Sequence, residues 1–535
     1  MSAISWPARW ARFVLSSGLA QCLATLLFIL GLLGALLAWR YPLELEMRES
    51  TVWLHAITMQ AGISIYDNSQ VAYVNMNHGP MDSILKFGIH CLLPGLDAWQ
   101  VIRLFVLLLP CLLLAVSWAL RRRLSASAFG DALLISAVFY CAMRSLAPYH
   151  LLVGRTDSTG LCLMVAGFGA ARLAHRPGGE LTGSMLAGLF MSAAALTTWR
   201  LAPASAFLAA LALAPEPGPG YGLCLLKRLS LALALGLGLF GAVLFIQFHG
   251  NFWRYSLFFF GFFKAYCATS GGLWAKMLAL GKSLPLPAIL SAYCLAVLAA
   301  AWWFEMRQGR LAALAVLVLG SLAWELFAYS VNQQGGGLYY ICGSLTLVWA
   351  ALCCEPWAFS LLNSPKARLG ILGLVLAVAA APMALQARTL FIEHDGALAY
   401  QRELARLDAS HPIYNESEFL ICQSWRGQRI DSGDAVWSIM ESGAYGPQFE
   451  GTAMRYFRLL ALDPAPRLAY FGPASSPRLF KLIAYRGIQI LSESPEHDFF
   501  NGGSTACLVR IKALKPCGPH PSRFPMAQKG TAKFF

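Results

Sequence analysis

The residues best equipped for chemistry crowd into one stretch, 41–99, lying between two long apolar runs. It reads YPLELEMREST, AGISIYDN and YVNMNHGPMDS and holds Glu44, Glu46, Glu49, Asp67, His78 and Asp82. A carboxylate here can act as a general base, taking a proton from a hydroxyl as that oxygen attacks. Glu46 and Glu49 are spaced i, i+3 and share a helix face just beyond the first apolar run. The plainer alternative is a solvated acidic cap on an interfacial helix. Acids at a membrane edge are costly unless used, which favours a working role for at least one of them.

Further along stand Arg155 and Asp157, at the start of an apolar run. Arg155 suits an ion pair with Asp157 or a bound phosphate. Equally, Asp157 suits the positive end of a helix dipole, with Arg155 as an interface anchor. His78 follows Asn77 and precedes Gly79-Pro80. Pro80 fits the first turn of a helix running MDSILKFGIHCLL, where Asp82 again suits the dipole. Arg200 interrupts the apolar stretch ALTTWRLAPAS and, if buried, needs an anionic partner; the alternative is an Arg snorkelling to headgroups. The aromatic segment 251–267 carries Arg254 and Lys264, either lining a groove for a lipid phosphate or forming an aromatic belt. Gly335–Gly337 precede Tyr339 and Tyr340 and permit a tight loop.

These residues need a scaffold, and composition gives it. The 535-residue chain is 57% hydrophobic and 13% charged, with mean hydropathy +0.56. Soluble domains carry about 25% charged residues, so this is an integral membrane protein. Its apolar runs are Leu- and Ala-rich without β-barrel alternation. About eleven spans are predicted, near 16–39, 100–120, 130–147, 158–174, 184–198, 201–215, 229–248, 284–304, 311–331, 338–357 and 369–388. The pair 184–198 and 201–215 is short enough to be one broken helix pair.

Alternate loops are basic: Arg9 and Arg12, Arg121–Arg123, Arg172 and Arg176, Lys227 and Arg228, Arg307 and Arg310, Lys366 and Arg368. By the positive-inside rule these face the cytoplasm. The net charge of +14 then reflects topology rather than nucleic acid. The N-terminus reads as a signal anchor without a cleavage motif. Every unusual polar element falls on the opposite, outer face: Glu44/Glu46/Glu49, Asn77–Pro80, Arg155–Asp157, Trp199-Arg200 and Asn332–Gly337.

Two units follow: a transmembrane module, 1–388, with its outer loop 41–99, and an extracytoplasmic C-terminal α/β domain, 389–535. The latter holds strands at IQILSE and STACLVRIK and is disordered from about Lys515. The 14 cysteines show no metal-ligand spacing. Cys507 and Cys517 suit a disulfide outside the cytoplasm, with Cys422 as a competing partner.

Four segments together resemble the GT-C superfamily of integral membrane glycosyltransferases, close to the bacterial lipid A aminoarabinose transferase and protein O-mannosyltransferase-like families. They are RESTVWLHAITMQAGISIYD, NHGPMDSIL, GRTDSTGLCLMVAGFGAARLA and GGGLYYICGSLTLVWAAL. The resemblance implies an all-α polytopic fold in a bacterial inner membrane. It implies transfer of a sugar from a polyprenyl-phosphate donor to a glycolipid, glycan or protein, with inversion. By this resemblance Glu49 matches the acid of an Asp-Glu motif, while Arg48 stands where Asp is common. That leaves Glu46 or Glu49 as base, with Asp157 a third catalytic acid, and removes support for a divalent metal. Arg155, Arg200, Lys264, Asn77, His78 and Tyr340 become candidate substrate contacts, and the implied partners are the lipid-linked donor and membrane lipids. A glycan ligase, a transporter or flippase, and an assembly factor are the competing readings. A transporter should place its polar residues at mid-membrane, and here they gather at one face.

Overall fold

The computed structural model of the protein describes residues 6–42, 45, 49, 52–53, 56, 59, 79–122, 128–146, 151–215, 220–248, 286–331, 341–354, 364–410, 413–415, 468–473, 488–496 and 504–511. Among these, helices dominate. They are α1 (Trp6–Arg40), α2 (Met81–Leu92), α3 (Ala98–Arg121), α4 (Ala128–Leu146), α5 (Thr156–Ala171) and α6 (Glu180–Thr197). They continue with α7 (Ala202–Leu213), α8 (Tyr221–Phe248), α9 (Leu286–Gln308), α10 (Arg310–Val331), α11 (Cys342–Cys354), α12 (Pro365–Val375) and α13 (Ala381–Ser410).

Seven helices among the described residues are long and apolar enough to cross a membrane: those over 18–40, 98–121, 128–146, 180–197, 221–247, 310–328 and 365–392. Each coincides with a predicted span. Their outer surfaces are apolar, with Leu223 75% and Phe245 74% exposed, as lipid-facing helices require. The predicted spans 158–174 and 338–357 fall on shorter helices, α5 with 16 residues and α11 with 13, and so does 201–215. It is a short apolar helix preceded by a 3-10 turn, Trp199–Leu201. Helix α7 itself has 12 residues, a length of about 18 Å against the roughly 30 Å of a hydrocarbon core. Thr198, with φ −154° and ψ 128°, breaks the helix before it, and Arg200 sits in that break.

Two helix starts are well explained. Asp97 and Gln100 form a reciprocal capping box at α3, satisfying two otherwise orphaned N–H groups. Ser364 accepts from the Ala367 N–H before Pro365.

The core ties α3, α4, α5 and α11 together. Trp349 donates its indole N–H to Ser117 Oγ at 3.0 Å, Ser136 donates to the same oxygen at 3.3 Å, and Phe168 meets Trp349 edge-on at 5.6 Å. One end of the bundle is basic. There Asp131 holds Arg121 and Arg368, Glu180 holds Lys227 and Arg228, and Arg228 also caps the Leu213 carbonyl. These are the loops in which the sequence concentrates its Lys and Arg.

Near the C-terminus four strands form one sheet in the order β1-β2-β4-β3: Ile413–Asn415, Leu468–Pro473, Ile488–Glu496 and Ser504–Ile511. β1 and β2 pair in parallel, and the other two pairs are antiparallel. Helix α13 runs unbroken from Ala381 to Ser410.

Candidate functional site

Opposite the basic end, three buried carboxylates gather around the starts of α3 and α5 and the break between α6 and α7. The first is Glu49, with no solvent exposure. Arg103 approaches it as a fork, Nε to Oε1 at 2.8 Å and Nη2 to Oε2 at 2.6 Å. Leu45 and Gly154 add backbone N–H donors at 2.8 and 2.6 Å. Arg103 in turn donates to the Ala38 and Tyr41 carbonyls at 3.0 and 2.6 Å and lies over the Trp99 ring. Both oxygens of Glu49 are therefore occupied. The geometry is that of a clamp joining the end of α1, the following loop and α3, and Glu49 as placed has no oxygen aimed at a substrate.

The second is Asp82 in the first turn of α2, also fully buried. Helix dipole alone does not account for it. Lys86, one turn on, donates to Asp82 at 2.9 Å and to the Gly154 carbonyl at 2.6 Å, and the Thr159 hydroxyl donates to the other Asp82 oxygen. The peptide of Gly154 thus gives its N–H to Glu49 and takes a hydrogen bond from Lys86 on its carbonyl. A side chain at 154 would meet the Ile102 carbonyl oxygen at 2.6 Å, so only glycine fits between the two pairs. Gly79 docks the loop before α2 onto the end of α6, its N–H 2.9 Å from the Thr197 carbonyl.

The third is Asp157. Arg155 is the N-cap residue of α5, with an extended backbone, and places Asp157 in the first turn. Arg200 reaches it from the helix break, Nη2 to Oδ1 at 2.8 Å, with both side chains about nine-tenths buried. Arg200 also donates to Thr198 Oγ1 at 3.3 Å. The alternative of an Arg snorkelling to headgroups does not describe this residue; its anionic partner is Asp157. The second oxygen of Asp157, Oδ2, is buried and has no hydrogen-bond partner among the described residues, nor has the neighbouring Thr156 hydroxyl. A buried carboxylate with one oxygen anchored and one open is equipped to receive a proton or a hydroxyl from a ligand.

Beside this pair stands a residue the sequence reading passed over. Glu325 lies in α10 with no exposure and accepts the Gly343 and Ser344 N–H groups at 2.8 and 3.1 Å, as well as the Ser344 hydroxyl. It caps the start of α11 from inside the bundle, about 9 Å below the α10 terminus at 1.5 Å per residue. Gly343 packs where a Cβ would meet Ala204 Cβ at 2.8 Å. Trp324 and Trp199, the residues preceding Glu325 and Arg200, meet edge-on at 5.7 Å, so the two charged residues come from stacked dipeptides.

Of the sequence candidates, the structure brings Asp157, Arg200 and Arg155 to one end of the bundle and puts Glu49 in the adjoining clamp. Glu46, Asn77, His78, Lys264 and Tyr340 lie outside the described residues, as do Glu44, Arg48, the segment 251–267, Cys422 and Cys517. Lys86, Arg103 and Glu325 were missed. Their signal was present: each is an ionisable residue inside an otherwise apolar helical run, which is expensive unless paired or used. No group of three His, Cys, Asp or Glu among the described residues could hold a metal ion.

No family model and no curated protein matches the chain. Two solved structures are similar in outline. A crystal structure of ArnT from Cupriavidus metallidurans bound to undecaprenyl phosphate gives a TM-score of 0.46 at 15% identity, covering 96% of this chain and 100% of that one. The same protein in the apo state gives 0.47 at 14% identity, covering 95% and 98%. Values of this size assign neither family nor activity.

Proposed function

We propose that this protein is a membrane glycosyltransferase of the GT-C type. It moves a sugar from a polyprenyl-phosphate donor to an acceptor hydroxyl at the outer face of a bacterial inner membrane. The observation that carries the reading is Asp157 Oδ2, a buried carboxylate oxygen without a partner among the described residues, whose sister oxygen Oδ1 is held by Arg200 at 2.8 Å. In this reading the basic end faces the cytoplasm, as the positive-inside rule requires, and the three-carboxylate end faces out. About eleven spans cross the membrane, and residues 389–535 form an extracytoplasmic α/β domain over the acceptor side.

The step is a displacement at the anomeric carbon. The acceptor hydroxyl oxygen forms the new bond from the face opposite the phosphate, and its proton passes to Asp157 Oδ2. The bond from the anomeric carbon to the phosphate oxygen breaks with its electron pair going to the phosphate. Arg200, and Arg155 beside it, stabilise the charge that develops there. Inversion follows from the single displacement. Glu49 serves as a positioning residue, because its oxygens are committed to Arg103, Leu45 and Gly154. Glu46 stays the alternative base that the sequence resemblance offers, and His78, Asn77, Lys264 and Tyr340 keep the substrate-side roles it gives them.

The test is Asp157→Asn in inner-membrane vesicles supplied with a labelled polyprenyl-phosphate sugar pool. The fold is retained and transfer falls by about 10²–10⁴, the range of a lost general base. Wild-type transfer by the Asn variant at equal expression sinks the assignment. A flippase is the second reading, favoured by the broken helix at Thr198 and the buried Glu325. It is separated by the same variant: a flippase alters which leaflet holds the lipid-linked sugar and makes no new glycosidic bond.

A further inference from the structure

A second charged position lies away from the carboxylates, on the seam between α1, α4 and the α12–α13 rod. Arg144, in the last turn of α4, is 1% exposed. It donates Nη1 to the Gly31 carbonyl at 3.2 Å and Nη2 to Gln386 Oε1 at 3.1 Å. Both acceptors are neutral, and among the described residues no carboxylate reaches the guanidinium. Its Nε–H is buried with no partner, and so is the hydroxyl of Tyr140, one helical turn earlier on α4. Every other fully buried Arg of the bundle that the structure describes in an ion pair, Arg103 and Arg121, faces an acid.

The chain makes room for this group deliberately. A Cβ at Gly34 would touch Arg144 Nη1 and Nη2 at 2.5 Å, and one at Gly31 would meet the Tyr140 ring at 2.9 Å. The i, i+3 glycines of α1 therefore cradle the guanidinium and the phenol. A cation held in an apolar bundle against neutral acceptors carries a desolvation cost that an anion would offset. A phosphate oxygen suits the remaining donors, since guanidinium binds phosphate through parallel N–H groups and a phenol adds a third. The surface flanking the seam is apolar and exposed, with Leu33 beside Gly34 at 44% and Leu385 beside Gln386 at 60%, while Arg144 and Tyr140 lie beneath it. All three helix segments bring these residues toward the end opposite the basic loops.

We infer that Arg144 and Tyr140, with Gln386 moving aside, form a peripheral binding site for the phosphate of an anionic lipid, separate from Asp157 and Arg200.

The full-length protein in detergent, titrated with phosphatidylglycerol, phosphatidylcholine or undecaprenyl phosphate and followed by native mass spectrometry, tests this. Wild type should retain one more anionic lipid than neutral lipid under matched activation. Arg144→Gln and Tyr140→Phe should each weaken that retention, the former by at least about tenfold, one decade in affinity. Which lipid, phosphatidylglycerol or undecaprenyl phosphate, loses retention in Arg144→Gln and Tyr140→Phe identifies the source of the phosphate. Should Arg144→Gln fail to fold, Tyr140→Phe, which removes one oxygen only, decides the matter. Equal retention by wild type and Tyr140→Phe, or equal retention of phosphatidylcholine, overturns the site and leaves Arg144 as a staple between helices.

Discussion

Arg103 meets Glu49 across 54 residues of chain as a two-pronged ion pair with no exposure of either side chain. Removing one partner strands the other charge in the bundle. Glu49→Gln or Arg103→Met should each cost about 3–5 kcal/mol, the usual penalty for breaking a buried pair. The measurement is folded yield and thermal midpoint in detergent. Arg103→Lys should rescue poorly, since an ammonium cannot span both oxygens and the Ala38 and Tyr41 carbonyls together.

Arg200→Lys asks a different question. The charge stays, but the planar guanidinium that reaches both Asp157 Oδ1 and Thr198 Oγ1 goes, so Asp157 loses its fixed orientation. Transfer should fall by about 10²–10³, as when one preorganised donor is lost from a charge-stabilising site, while the thermal midpoint moves little. A loss of stability as large as that of Glu49→Gln would make Arg200 structural instead.

Glu325→Ala removes the acceptor for three donors at the start of α11. Unsatisfied buried N–H groups cost about 1–3 kcal/mol each, so the variant should expose its α11 end to hydrogen exchange and fold poorly. Glu325→Gln keeps one acceptor oxygen and should recover much of the folded yield. Gly343→Ala should resemble Glu325→Ala, because the new methyl would enter the space held by Glu325 and Ala204.

Asp82 and Lys86 invite a double-mutant cycle. Each single change, Asp82→Leu or Lys86→Met, should destabilise by several kcal/mol, whereas the double variant should recover most of the loss, since buried pairs are often replaceable by apolar residues. Additive losses would show instead that the two residues act through Gly154 and Thr159 independently.

Much of the bundle was legible because a helix in lipid must be apolar around its circumference, so Gly18–Arg40 or Tyr221–Gln247 declare themselves. Alternating loop charge likewise anticipated the basic end. At the site, Asp157 and Arg200 each stood out as costly residues beside apolar runs. Their partnership was not legible, since 43 residues separate them and the meeting depends on the break at Thr198. Local pattern suggested Arg155 as an alternative mate. Glu49 was legible as important and illegible in role: only the position of Arg103, itself hidden within AWQVIRLFVLLLP, shows that its oxygens are spent. Glu325 carried a clear signal, one acid in a 22-residue apolar helix, but its partners Gly343 and Ser344 belong to the next helix.

The peptide at Gly154 has a direction. Its N–H faces a carboxylate and its carbonyl faces an ammonium, 2.6 Å away in each case. Turning that plane over would set oxygen against oxygen and hydrogen against a cation. The chain can therefore enter α5 only one way round, and the handedness of that entrance is written by charges on residues 49 and 86. Both belong to segments synthesised before α5, whereas Arg200, which anchors Asp157 itself, follows it by 43 residues.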